Sequence, residues 1–288
     1  MQPLLDILQK TTAFFQQKGV PQARLDAELI IAHALGCRRL DLYLQFDRLL
    51  TESELAAMRP LVARRGKREP LQHLLGEAHF HGLVLKADAR ALIPRPETEE
   101  LVELLVERLG ASPPATVCDL GTGTGAIALA LAAAFPQAQI AAVDASAAAL
   151  TLAAENAATA GLTERVRFVE SDWLAALDGE RFSLIVSNPP YLTEEEWEQV
   201  EPEVRDWEPK SALTAGPDGL DDYRKIFAAA PAHLEPGGWL ALETGISQHA
   251  ALAEIAQEAG FATTESLNDL SGRERFFLAQ QAGCTCGQ

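Results

Sequence analysis

The sequence predicts two folding units: a small helical bundle at the N-terminus, then a doubly wound α/β domain built on a buried, mostly parallel sheet. Three observations carry this expectation. The chain has 288 residues, which at roughly 100–200 residues per domain suits two units. Up to about Arg65 its apolar residues recur only at helical spacing, with no strand pattern. From Glu97 onward, short and almost continuously apolar runs alternate with helical stretches, the pattern of crossover-linked parallel strands buried on both faces.

Taken in order, Leu4, Leu5, Leu8, Phe14 and Phe15 share one helix, and Leu25, Leu29, Ile30 and Leu35 share a second that Gly36 closes. Thr51 followed by Glu54 is a capping box for a third, which ends in the basic run before Gly66. Phe80 to Leu85 reads as a strand, and Ile93-Pro94-Arg95-Pro96 fixes two φ angles in an extended connector. Glu97 to Leu109 is helical. Strands follow at 116–120, 139–143, 166–170, 182–187 and 238–243, with a closing strand at 275–280. Helices at 125–135, 147–160, 221–233 and 248–259 alternate with them. The expected division is 1–70 for an N-terminal helical domain and 71–96 for a β-containing connector. Residues 97–280 then form the α/β domain, and 281–288 a flexible tail carrying Cys284 and Cys286.

Hydrophobic residues make up 48% and charged residues 23% of the chain, which excludes a disordered or fibrous protein. Four cysteines without regular spacing give neither a disulfide framework nor paired zinc knuckles, and suit a reducing, cytoplasmic compartment. The longest apolar stretch, Ala126 to Phe135, is far short of the ~18 residues a bilayer requires. The first residues lack a signal-peptide core. The net charge of −17 is unevenly placed: residues 1–90 hold 13 Lys/Arg against 10 Asp/Glu, the remainder 11 against 31. So acidic a body repels bare nucleic acid, whose binding rests on neutralising phosphates. The basic cluster Arg64, Arg65, Lys67 and Arg68 reads as a solvated helix end.

The strand ending at Leu120 runs directly into Gly121-Thr122-Gly123-Thr124-Gly125 and a helix. In an open α/β sheet, ligands bind beyond the C-terminal ends of the strands, where glycines let the backbone come close. Gly121, Gly123 and Ala126 also fit the dinucleotide fingerprint, so the glycines alone leave two readings. Asp119 separates them: a carboxylate two residues ahead of the loop opposes a pyrophosphate but suits a ligand bearing an ammonium and a sulfonium, such as S-adenosylmethionine. Asp144, at the end of the second strand, would accept both ribose hydroxyls. After the third strand come Ser171-Asp172-Trp173, where Asp172 suits the adenine amine and Trp173 offers an apolar surface. Asp144 and Asp172 each have a simpler role as a helix or turn cap. Their coincidence at successive strand ends of one sheet favours the ligand.

The fourth strand ends in Asn188-Pro189-Pro190-Tyr191, and in such a sheet it lies beside the first, so its loop overhangs the ligand. A conjugated amino group is a poor nucleophile because its lone pair is delocalised. Methylating it requires its two N–H bonds to be held so that the lone pair points at the methyl group. The Asn188 side-chain oxygen and the Pro189 carbonyl would each accept one N–H, Pro190 would stiffen the loop, and Tyr191 would pack on the planar substrate.

Asp119 to Gly125, Asp144, Trp173 and Asn188 to Tyr191 together resemble the amino-methylating branch of the class I S-adenosylmethionine-dependent methyltransferases. The N-terminal bundle, the connector from Leu92 to Thr98, Ser171-Asp172-Trp173 and Val186 to Tyr191 resemble a narrower family. This is the bacterial peptide chain release factor glutamine-N5 methyltransferases, and the resemblance extends from about Leu25 to Ala279. It implies a Rossmann-like catalytic domain with a substrate-docking N-terminal domain. The implied reaction is methylation of the glutamine side-chain amide in the Gly-Gly-Gln motif of class 1 release factors, which modulates translation termination. S-adenosylmethionine is the donor, S-adenosylhomocysteine the product, and no metal takes part. By position, Asp119, Gly121, Thr122, Gly123, Thr124, Gly125, Asp144, Asp172, Trp173 and Asn188 would bind the cofactor. Asn188, Pro189, Pro190 and Tyr191 would hold the glutamine and carry catalysis. A cytoplasmic monomer whose partners are release factors, with no direct nucleic acid or membrane contact, is expected.

Rival classes share parts of this pattern. A nucleic-acid adenine-N6 or cytosine-N4 methyltransferase has the same catalytic loop but calls for a basic recognition region, which the acidic body opposes. An inactive S-adenosylmethionine-binding interaction protein has no use for an intact Asn188–Tyr191 motif. A nicotinamide dehydrogenase is disfavoured by Asp119. His73, His79 and His81 read as surface or hinge residues, since no thiolate or acidic cluster accompanies them. Glu194, Glu195, Glu196 and Glu198 read as an acidic helix start. No general base is assigned, because a protonated methylated amide gives its proton to water.

Overall fold

The computed structural model describes residues 2–283, which pack as two units. The first is the chain up to Glu77 together with Glu201–Trp207; the second is Ala78–Val200 and the chain from Glu208.

The first unit contains β1 (Gln2–Pro3), α1 (Leu4–Gln17), α2 (Ala23–Leu35), a 3-10 turn (Arg39–Leu44), β2 (Leu49–Leu50), α3 (Glu52–Arg65) and α4 (Leu71–Leu75). In α1 the buried residues Leu4, Leu8, Thr11 and Phe15 fall about one turn apart, which puts them on one face. They pack with Ile30, Ile31, Leu42, Leu50, Met58 and Leu74 in one core. The Thr51–Glu54 capping box forms reciprocally at the start of α3. Two expectations are corrected. β1 and β2 pair antiparallel over two residues each, too few to show an alternation. The basic run is solvated only at Arg64 and Lys67. Arg65 donates to Asp26 at 2.7 Å and lies 2.9 Å from Glu203, with all three side chains largely buried. Arg68 also pairs with Glu203, and Arg64 with Glu69.

The second unit opens with β3 (Glu77–Phe80) and β4 (Leu83–Lys86), then α5 (Pro96–Leu109), β5 (Thr116–Leu120), α6 (Ala126–Ala134), β6 (Gln139–Asp144), α7 (Ala147–Ala160), β7 (Val166–Glu170) and β8 (Phe182–Ser187). It continues through α8 (Glu194–Gln199), α9 (Asp221–His233), β9 (Leu234–Glu243), α10 (His249–Glu258), β10 (Thr263–Asn268) and β11 (Glu274–Gln280). The expected single strand at Phe80–Leu85 is instead two paired strands. His81 and Gly82 both take positive φ, 47° and 77°, the geometry of a tight two-residue hairpin loop. β10 escaped prediction because its Thr263-Thr264-Glu265-Ser266 sequence is an exposed polar edge.

Seven strands of the described residues form the sheet β10-β11-β9-β8-β5-β6-β7. The five from β9 to β7 run parallel, and β11 and β10 close the edge antiparallel. α5 and α6 cover one face with Leu101, Leu105, Ile127 and Leu131 against Val117, Ile140 and Val186. α9 and α10 cover the other, with Tyr223, Phe227 and Leu252 against Cys118, Leu120, Ile185 and Leu240. β5 therefore alternates, Val117 toward α6 and Cys118 toward α9, and β8 does lie beside it. The start of the expected tail is tied to β9, since Gln281 N–H donates to the Gly238 carbonyl at 2.9 Å. Cys284 and Cys286 lie outside the described residues.

Candidate active site

A cavity of about 360 Å³ opens at the C-terminal edge of the sheet, over the ends of β5, β6, β7 and β8. Its floor is the glycine loop. Gly121 and Gly123 line it and take positive φ, 69° and 55°, a conformation that residues with a Cβ resist. Gly125 also takes positive φ, 82°, and serves packing as well: a Cβ there would sit 3.2 Å from Ala153 Cβ in α7 and 3.3 Å from Leu129. Thr122 and Thr124 are buried behind the loop.

Asp119 is fully buried and does not line the cavity. Strand parity puts its side chain on the α6 face. There Oδ2 accepts the Thr122 hydroxyl at 2.6 Å and the Ala128 N–H at 3.0 Å, satisfying a donor in the first turn of α6. Oδ1 is buried with no hydrogen-bond partner. Burial pushes the carboxyl up to about 7, against the pull of those two bonds. Asp119 shapes the loop rather than lining it.

Asp144 lines the cavity. Oδ2 accepts the Gly123 N–H and Oδ1 the Ser146 N–H, each at 2.9 Å, so each oxygen keeps acceptor capacity. Burial holds its carboxyl above the usual range despite these bonds. The N-cap of α7 is Ser146, whose Oγ accepts the Ala149 N–H; the simpler capping role for Asp144 is therefore taken. Asp172 and Trp173 are on the wall too. Trp173 sits at φ 51°, an uncommon conformation for a bulky residue, and donates its indole N–H to Asp222 at 3.2 Å.

Asn188 and Pro190 complete the opposite wall. Asn188 Nδ2 donates to Thr98 Oγ1 at 3.0 Å, and Thr98 Oγ1 donates to Glu243 Oε2 at 2.6 Å. Burial pushes Glu243 up to about 7. Pro189 is not on the wall, and neither is Tyr191. Tyr191 packs against the α9 core, its carbonyl accepting Gln248 Nε2 at 3.1 Å, and burial pushes its phenol well above the ordinary value.

Sequence reasoning missed several wall residues. Arg90 is held by Asp88 and Glu155, and Pro209 and Ser211 follow Glu208, which Arg95 pairs at 2.6 Å. Asp222 had one available signal: the helix preceding a parallel strand starts at the C-terminal edge of the sheet, so the first turn of α9 faces the ligand side. Arg90, Pro209 and Ser211 had none. Among the described residues no cluster of His, Cys, Asp or Glu is placed to hold a metal ion, and no helix is long and apolar enough to cross a membrane.

The sheet order and the strand-end cavity define a class I methyltransferase fold, and solved structures agree. The chain superposes on the catalytic domain of human Mettl16, crystallised with an RNA hairpin. That match has a TM-score of 0.58 and 18% identity, covering 79% of this chain and 84% of that one. The 16S rRNA methyltransferase RsmC of Thermus thermophilus, solved with AdoMet and guanosine, gives 0.53 and 23%, covering 71% and 49%. Family models match at residues 6–76, the PrmC N-terminal domain, and at 98–203, the methyltransferase small domain. The chain is 45% identical to the release factor glutamine methyltransferase of Geobacter sulfurreducens over 93% of both chains. It is 46% identical to that of Deinococcus radiodurans, over 97% of this chain and 99% of the relative. It belongs to the release factor glutamine methyltransferase family.

Proposed function

We propose that the chain binds S-adenosylmethionine in the strand-end cavity and transfers its methyl group to the side-chain amide of the Gly-Gly-Gln glutamine in class 1 release factors. The observation that carries this reading is the meeting of Asn188 and Pro190 with Gly121, Gly123, Asp144 and Trp173 around one cavity, in a chain of this family. The residues present fit the cofactor: backbone freed of Cβ atoms at Gly121 and Gly123, and an Asp144 carboxylate with spare acceptor capacity for ribose hydroxyls. Bound there, the cofactor supplies an electrophilic methyl group.

Asn188 Oδ1 and the Pro189 carbonyl accept the two amide N–H bonds, holding the nitrogen lone pair toward the methyl group, and the nitrogen loses its proton to water. Asp172 and Trp173 border the adenine. The N-terminal unit docks the body of the release factor, and the enzyme acts as a cytoplasmic monomer. A nucleic-acid substrate is opposed by the acidic remainder of the chain, which from Ala91 on holds 11 Lys/Arg against 31 Asp/Glu.

The test supplies isotope-labelled S-adenosylmethionine with a class 1 release factor, with the same factor lacking the motif glutamine, and with DNA, and locates the label by mass spectrometry. Label on the motif glutamine alone is expected; label on DNA would refute the substrate. Asn188→Asp should lower single-turnover rate about a hundredfold, because an aspartate there cannot donate to Thr98 and sets a second acceptor against the same hydroxyl. Cofactor affinity should move much less.

A further inference from the structure

Asn188 follows β8 and Glu243 ends β9. These parallel neighbours are in register at Ser187 and Leu242, so the two side chains start one residue further along adjacent strands. Thr98, in the first turn of α5, bridges them, and both Thr98 and Glu243 lie behind the cavity wall, at 5% and 1% exposure. A hydroxyl has one hydrogen, and an ionised carboxylate only accepts. With Glu243 ionised and its Oε2 2.6 Å away, that hydrogen goes to Glu243. What Thr98 turns to Asn188 is therefore a lone pair, and only the NH2 end of the asparagine amide can answer it, as the 3.0 Å contact from Nδ2 records. The oxygen end is then left facing away from Thr98.

From this hydrogen count we propose that Glu243 and Thr98 are positioning residues that select one of the two flips of the Asn188 amide, the one presenting Oδ1 to an N–H of the substrate glutamine. The proposal rests on the glutamine-methylating reading above. An Asn188 free to flip would present its NH2 to the substrate in part of the population, donor against donor, and lose its hold on the lone pair. Without the Glu243 carboxylate the Thr98 hydroxyl can donate to Asn188 Oδ1 and favour that wrong flip. The selection costs little at the moment of reaction because all three groups sit at the ends of rigid elements.

The experiment compares Thr98→Val, which keeps the shape and removes the hydroxyl, with Thr98→Ser, which keeps the hydroxyl and removes a methyl. Turnover on an intact class 1 release factor, calorimetric affinity for S-adenosylhomocysteine and thermal unfolding are measured at about pH 8.5, where the ordinary and raised carboxyl values both leave Glu243 ionised. Thr98→Val is expected to lose about tenfold or more in turnover with affinity within about twofold, and Thr98→Ser to stay within roughly threefold of the parent. A packing role predicts the reverse order. Parental turnover in Thr98→Val, or an equal loss in Thr98→Ser, overturns the proposal. If Thr98→Val does not fold because Glu243 has lost its hydroxyl, combining it with Glu243→Met removes the stranded charge. The same loss of turnover is then expected, and recovery to the parental rate overturns the proposal. A parent chain that leaves the release factor unmethylated would overturn the function reading and this inference with it; a methylating parent matched by Thr98→Val overturns the positioning alone.

Discussion

The buried carboxylates of the N-terminal unit are handled differently from three at the strand ends of the catalytic unit, although Glu208 there also meets a guanidinium, that of Arg95. In the N-terminal unit they meet guanidinium groups. Asp26 and Glu203 share Arg65, and Glu28, 2% exposed, accepts from Arg24, Arg39 and Tyr43. Burial pushes Glu28 up, but its three donors outweigh this and hold it below the usual range. For Asp26, burial outweighs Arg65 and the carboxyl stays raised. In the catalytic unit Asp119, Asp144 and Glu243 meet only hydroxyls and backbone N–H groups at hydrogen-bond distance, and among the described residues no ion pair reaches them. All three are raised, chiefly by burial. Paired charge holds tertiary structure in the first case. Unpaired charge, kept at a cost in stability, lies at the ligand end of the sheet in the second.

Breaking the paired set should have the largest effect. Arg65→Met leaves Asp26 buried without its cation and Glu203 with Arg68 alone, and a loss of about 3–5 kcal/mol is expected in urea unfolding of the N-terminal unit. A loss below about 1 kcal/mol would reduce the network to the standing of a surface pair. In the unpaired set, Asp144→Ala should weaken S-adenosylhomocysteine binding by roughly ten- to a hundredfold, the scale of hydrogen bonds to a charged group. Its unfolding midpoint should barely move, since the side chain faces the cavity; unchanged affinity would mean that the ribose is held elsewhere.

The smallest effect, and the one that sharpens the contrast, is in the pH dependence of Asp119. Its folded value near 7 lies above that of the unfolded chain, so the folded state keeps a proton that the unfolded state releases. The contribution to stability is full below about pH 4 and declines as pH rises toward 7. Asp119→Asn, which has no proton to lose, should gain on the parent by about 1 kcal/mol or more between about pH 5 and about pH 8. A constant difference across that range would show that Asp119 ionises normally in the fold.

Legibility in the sequence followed distance along the chain. Gly121, Gly123, Asp144 and Asn188 announce themselves because each ends an apolar strand or follows one within three residues, and the loop after a parallel strand must open at the ligand edge. Asp119 was assigned to the ligand because it precedes the loop, yet the alternation that sends Val117 toward α6 sends Asp119 there too. The place of Tyr191 was not legible, because it depends on Gln248 and Gly245, over fifty residues away, which meet its backbone and ring.

By itself the sequence determined the helices of the N-terminal stretch, the parallel core of the sheet and the strand ends over which the cavity opens, because hydrophobic periodicity and glycine stereochemistry act over a few residues at a time. Tertiary structure alone decided which polar groups face one another. Arg65 is a buried partner of Asp26, 39 residues away, rather than a solvated helix end. Asn188 finds Thr98, 90 residues before it, and Thr98 finds Glu243, 145 residues after it. Hydrogen bonds and ion pairs act over about 3 Å and carry no periodicity that the chain can display, so these partners are defined only when packing of the apolar layers brings their elements together.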